Sequence, residues 1–139
     1  MIADFFAWTQ RNAELLRAGR FDQADIEHIA EEIEDIGRSE RRELDSRLEV
    51  LVQHLLKWRA QPDQRIRSWS GTITLQRREL NKLLSQMPSL KPAMAKGLKE
   101  AYRGGVVRAS IETDIPQFDF PRSCPFTLDE ILDPDFFPG

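Results

Sequence analysis

From Ile66 to Met87 the stripe residues fall three and four apart without a slip: Ile66, Trp69, Ile73, Gln76, Leu80, Leu83 and Met87, all apolar except Gln76. A helix turns once every 3.6 residues, so this spacing lays all seven side chains along one stripe, and the two-residue period of a strand cannot produce it. A narrow apolar stripe is a seam that other helices must cover. The expected fold is all-α: an antiparallel bundle of about four helices.

The rest of the chain supplies the partners. A first helix is expected from about Asp4 to Ala18, with Phe5, Trp8, Asn12 and Leu15 or Leu16 on one face and Gly19 as its stop. Asp22 is expected to cap a long second helix from Gln23 to Ala60, ended by Pro62, with Asp25 in its first turn. The stripe of this helix reads Ile26, Ile29, Ile33, Ile36, then Leu44, Leu48, Leu51, Leu55, Trp58. Nothing apolar occurs from Gly37 to Glu43, and the phase resumes if Glu40 fills the missing place. A kink at Gly37 fits this pattern better than a break. The third helix runs from about Gln64 to Gln86 and stops at Pro88; Ser89 is expected to cap the fourth. Met94, Leu98, Ala101 or Tyr102, Gly105 and Ala109 point inward there, with Gly104 and Gly105 placed near Trp69. Helical core thus spans about residues 4–112 of a single domain.

Residues 113–139 differ in kind. They hold five of the eight prolines and five of the eight phenylalanines, which excludes continuous helix. Thr127 can cap one short turn, Leu128 to Leu132. Phe118, Phe120, Phe126, Phe136 and Phe137 are too many apolar anchors for a free tail, so the segment is expected to wrap the bundle, each buried ring contributing about 2 kcal/mol.

No apolar run approaches the roughly 20 residues that span a bilayer, so no membrane association is expected. An N-terminus without a basic region does not read as a signal peptide, and one cysteine, Cys124, allows no internal disulfide; a cytoplasmic protein is expected. The net charge of −3 is segregated. Asp22 to Asp35 carries seven acids and no Lys or Arg, whereas Lys57 to Lys82 carries seven basic residues against Asp63 and Glu79. Such blocks steer a partner or face each other inside the fold.

Few residues offer chemistry. His28, Glu31, Glu32 and Asp35 share a face of the second helix, and a divalent metal could be held there if other helices completed the shell. The bland reading is a solvated acidic face. Glu40 and Gln76 interrupt apolar stripes, and a buried carboxylate there needs a partner among the nearby arginines, Arg41, Arg42, Arg47, Arg77 and Arg78. Polar seam residues of this kind often fix register rather than build a site. His54 sits beside the stripe with no nucleophile to serve, so no catalytic residue is assigned and no cofactor is expected. Arginine interleaves with tryptophan between Lys57 and Trp69, a pattern that single-stranded nucleic acid can use, yet both indoles lie on seams.

The run Ala30 to Trp58, AEEIEDIGRSERRELDSRLEVLVQHLLKW, resembles the signature of the bacterial "domain of unknown function 29" family. Gln61-Pro62, SWxxTIxxQR at Ser68 to Arg77, PSL at Pro88 to Leu90, Ala101-Tyr102, Glu112-Thr113 and FPxxCP at Phe120 to Pro125 continue the resemblance in order. Family proteins often carry Trp where this chain has Phe126. The resemblance implies an all-helical fold and no activity. It marks Glu31, Glu32, Glu34, Gly37, Glu40, His54, Trp58, Trp69, Gln76 and Arg77 as signature positions.

The favoured expectation is a non-enzymatic helical binding or interaction protein, engaging another protein or a second copy of itself. Its candidate polar constellation is Glu31, Glu32, Glu40, Arg42, His54, Gln76 and Arg77. The alternatives are a hydrolase-like metal enzyme built on His28, Glu31, Glu32 and Asp35 with Glu40 or His54 as base, and then single-stranded nucleic acid binding on the Lys57 to Lys82 face, which the acidic pI near 5.5 disfavours.

Overall fold

The structure, a computed structural model, describes residues 2–139. Five α-helices form, and no strand occurs among the described residues: α1 (Phe5–Arg17), α2 (Ile26–Ala60), α3 (Arg67–Gln86), α4 (Leu90–Thr113) and α5 (Leu128–Leu132), with 3₁₀ turns at Pro62–Gln64 and Gln117–Asp119. The chain falls into two compact units, Met1–Glu40 and Arg41–Gly139. The helix α2 contributes to both and runs through Gly37 without interruption.

The N-terminal unit is held by polar groups. Asp4 caps α1 by accepting the Ala7 N–H at 3.1 Å, and Gly19 ends the turn after it at a positive φ of 72°. Asn12 is the only buried residue of the unit among those described. Its side-chain oxygen accepts the Asp25 N–H at 2.7 Å, and its amide donates to the Trp8 carbonyl at 3.0 Å. Trp8 Nε1 donates to the Asp25 carboxylate at 3.0 Å. Asp25, not Asp22, therefore stands at the start of α2, and that helix begins at Ile26 rather than Gln23. The reason is local: Asp25 already has Asn12 and Trp8 as partners, and residues 21–24 form turns.

In the same unit the isoleucine stripe stays in solvent. Ile33 and Ile36 are 63% and 64% exposed, and Ile26 and Phe5 are exposed as well. The apolar period was expected to mark buried positions. Periodicity records which residues share a face, and only a neighbour of suitable shape can bury it.

The C-terminal unit holds the hydrophobic core. Leu44, Leu48, Leu51, Val52, Leu55 and Leu56 of α2 are fully or almost fully buried, joined by Ile73 and Leu80 of α3, Met94, Ala101, Tyr102, Val106 and Ala109 of α4, and Phe120, Phe126 and Ile131 beyond it. Each large aliphatic contributes about 2 kcal/mol through burial. Ile66, expected to begin the α3 seam, is exposed; it precedes Arg67, where the helix starts. Ser89 has helical φ and ψ and makes no side-chain cap bond, because the chain turns from Met87 directly into α4 through backbone bonds such as Leu90 N–H to Met87 O.

Gly97, Ala101, Gly105 and Ala109 recur every four residues along α4, and this side meets α2. A Cβ on Gly105 would lie 2.8 Å from Val52 Cγ1 and 3.2 Å from the Gln53 nitrogen, and one on Gly104 would run into the Glu49 carboxylate. The glycine pair expected beside Trp69 thus serves the approach of α4 to α2. Beyond α4, the Asp114 φ of 60° turns the chain, and its N–H caps the helix on Ser110 O.

The glycines differ in what surrounds them. Added side chains at Gly37 and Gly71 meet open space. Gly37→Ala and Gly71→Ala are each expected to stabilise the protein by about 0.5–1 kcal/mol through helix propensity. Gly105→Ala is expected to destabilise it by about 1–3 kcal/mol through overpacking, and urea unfolding of the three variants checks both signs.

Candidate functional site

Burial on both sides of α2 between Leu51 and Leu56 draws polar residues inside. Gln53 and Lys57, one helical turn apart, are each buried, Lys57 to 5% exposure. An enclosed ammonium needs a counter-charge. Glu112, near the end of α4, supplies it: Lys57 Nζ contacts Oε2, while Gln53 Nε2 donates to Oε1 at 2.6 Å. The ammonium also lies over the Trp69 ring, 4.6 Å from its centroid. One carboxylate thus ties α2 to α4, and one indole brings in α3. The bond from Lys57 holds the Glu112 carboxyl below its usual range, and burial opposes it.

His54 lies in the same stretch. Its Nδ1 is 2.9 Å from the Val50 carbonyl, which can only accept, so Nδ1 carries the proton. Burial pushes its pKa below the ordinary value, with the nearby Lys57 charge acting the same way.

Gln76 and Arg77 part company. Gln76 Oε1 accepts from Arg47 Nη1 at 3.2 Å, while Arg47 Nε donates to Glu43 at 3.2 Å, so the interruption of the α3 seam is a polar link to α2. Arg77 is 2% exposed and faces the tail. Its Nε donates to the Ile131 carbonyl at 2.8 Å and Nη2 to the Glu130 carbonyl at 3.3 Å, the last turn of α5; its Nη1 is buried without a partner. Its guanidinium also sits 5.3 Å from the Phe137 ring centroid. Desolvation lowers its pKa. Three further side chains donate to tail carbonyls: Arg65 to Pro138 and Gly139, Asn81 to Leu132, and Tyr102 to Pro121. Burial pushes the Tyr102 hydroxyl up to about 12. Arg65 also lies over Trp58, which packs against Phe137. Arg65 and Trp58 of the arginine–tryptophan alternation are thereby engaged with the tail.

The remaining expected site residues lie apart from these. Glu31 and Asp35 are exposed, Glu32 and Glu40 are partly buried, and Arg42 is exposed. The ion pairs around them join Arg38 to Glu34 and Asp35, Arg41 to Asp45, and Arg47 to Glu43, leaving out Glu40 and Arg42. His28 Nδ1 meets the Asp25 carboxylate at 2.8 Å. That bond raises the pKa of His28, while the Trp8 bond and then His28 lower that of Asp25. Among the described residues no group of three or more His, Cys, Asp or Glu is placed to hold a metal ion. No described helix is long and apolar enough to cross a membrane.

Sequence reasoning did not single out Gln53, Lys57 or Glu112 as partners. A signal was present: the doubled pairs Leu51-Val52 and Leu55-Leu56 mean that α2 is covered on more than one side, so positions adjoining them are forced inward.

The protein defined by these features is all-helical, with its charged interior residues spent on tying helices and tail together. It belongs to the family described as "Domain of unknown function DUF29", whose model matches residues 2–137. Comparison with curated proteins and with solved structures returns no significant match.

Two predictions concern His54 and Arg77. The folded pKa of His54 lies below 6.5, so the unfolded chain binds more protons below that pH and stability falls as pH drops from about 6.5 through the folded value. Glu112 acts in the same direction below 4.5. His28 has the opposite sign: its contribution is complete below 6.5 and is lost as pH rises through its raised folded value. His54→Gln is expected to flatten the fall in thermal midpoint just below pH 6.5, measured by circular dichroism melts across pH. Arg77→Met is expected to cost about 2–4 kcal/mol, since two carbonyls lose a charged donor. Amide exchange should then rise first in residues 128–132.

Proposed function

We propose that this chain is a non-enzymatic helical interaction protein whose partner-binding element is the Met1–Glu40 unit. The observation that supports the reading is the Ile26–Ile36 stripe of α2, three of whose four isoleucines are exposed, accompanied in the same unit by exposed Phe5, Phe6 and Phe21. So many large apolar side chains left in water within one small unit mark an interaction site. Acids flank the stripe: Glu27 and Glu31 are exposed, and Arg38 answers only Glu34 and Asp35. The fitting partner therefore presents an apolar surface with basic flanks, attraction between the charges setting orientation and encounter rate.

In this reading the C-terminal unit is the scaffold. Its three long segments, residues 41–60 of α2 together with α3 and α4, act as an antiparallel bundle over which the Pro/Phe-rich tail folds. The side-chain donors from Arg65, Arg77, Asn81 and Tyr102 to tail carbonyls support that arrangement.

The test is the pair Ile33→Asp/Ile36→Asp, at exposed positions where helix content should not change. A partner recovered with the full chain, identified and purified, is expected to bind this variant at least about tenfold more weakly and to release in high salt. A partner that binds both forms equally would refute the reading, as would a chain that stays monomeric and retains no protein at all.

A further inference from the structure

We infer that the partner of this face is a second copy of the same chain, docked in a cationic trough formed by α4 and residues 117–122; the inference rests on the interaction-protein reading above. The trough is lined by Lys99, Tyr102, Arg103, Val107, Phe118 and Arg122 and comprises two adjoining hollows, of about 550 and 370 Å³, that share Tyr102, Arg103 and Arg122. Phe118 is 86% exposed, the largest exposure of any large hydrophobic residue described, and Val107 is also exposed. Lys99 and Arg103 stand one turn apart on α4. Their charge is barely offset: Arg103 meets only Glu100, at 3.5 Å on the open surface, and no ion pair among the described residues takes up Lys99 or Arg122.

Length and charge match the two surfaces. The trough follows α4 from Ala95 to Val107, which at 1.5 Å per residue is about 18 Å, or three helical turns. The segment Ile26–Ile36 is a helical ridge of about 15 Å, with isoleucines at 26, 29, 33 and 36 and Glu27 and Glu31 beside them. A long open hollow with cations on its rim and an aromatic ring in water suits an acidic amphipathic helix better than a small enclosed ligand. The chain therefore presents a ridge and a trough of opposite charge and similar length. Every copy carries both, and reciprocal exchange between two copies is the smallest assembly that leaves neither surface in water, so the inferred contact is a closed twofold pair.

Sedimentation velocity on the full chain tests this with two surface variants, Ile33→Asp/Ile36→Asp in the ridge and Arg103→Glu/Arg122→Glu in the trough. The unaltered chain is expected to dimerise, at least about tenfold more weakly when salt rises from about 0.05 to 0.5 M. Each variant alone should be monomeric with unchanged circular dichroism, since each removes both reciprocal contacts. Mixing the two variants should restore a dimer, because one intact ridge then meets one intact trough. A dimer that survives the trough variant would overturn the inference, as would open-ended assembly or a mixture that stays monomeric. A chain monomeric to about 100 μM would also overturn it. If that monomer still loses a different, purified partner on Ile33→Asp/Ile36→Asp, the interaction-protein reading stands and only the identity of the partner was wrong.

Discussion

Everything in the C-terminal unit depends on how closely α4 approaches α2. The approach exists because Gly105 has no side chain to hold Val52 and the Gln53 backbone away. It encloses the second half of α2 so fully that Gln53 and Lys57 go inside with the leucines around them. Once inside, the ammonium requires a carboxylate and finds Glu112 seven residues beyond Gly105 on the same α4 helix. Close packing and the burial of the Lys57 end of this ion pair are thus one constraint expressed twice.

The tail answers a different need. Proline-rich segments leave carbonyls without helix or sheet partners, and burying Phe120, Phe126 and Ile131 brings some of those carbonyls into the interior. Side-chain donors from the helices meet them. Arg77 is the most committed, with two of its nitrogens donating to carbonyls of one turn. Arginine suits the task because its planar fork reaches two carbonyls of one helical turn at once. The N-terminal unit follows opposite logic, with Asn12, Trp8 and Asp25 joining its helices while Ile26, Ile33 and Ile36 stay outside.

Helix positions in α1, α3 and α5 were readable to within a residue or three, since capping residues and prolines act locally. The sequence marks Gln76 as a polar interruption of its seam, but its bond with Arg47 depended on α2 lying beside α3. Glu40 looked equivalent in the sequence and is not, for it falls where the stripe of α2 passes from solvent into core. The candidate constellation of seven residues was scattered by the fold: Gln76, Arg77 and His54 have interior roles of three different kinds, and Glu31 and Arg42 lie in water.

What the chain determined alone was the helical class, the sites of its breaks and the composition of each helical face, because turn chemistry and a 3.6-residue period operate over a few residues. Which faces were covered, and by what, was decided only in three dimensions. Ile33 and Leu48 occupy the same stripe of one helix, yet one stands in water and the other is fully buried. Burial depends on a neighbour that arrives from distant sequence, and no local pattern encodes its arrival.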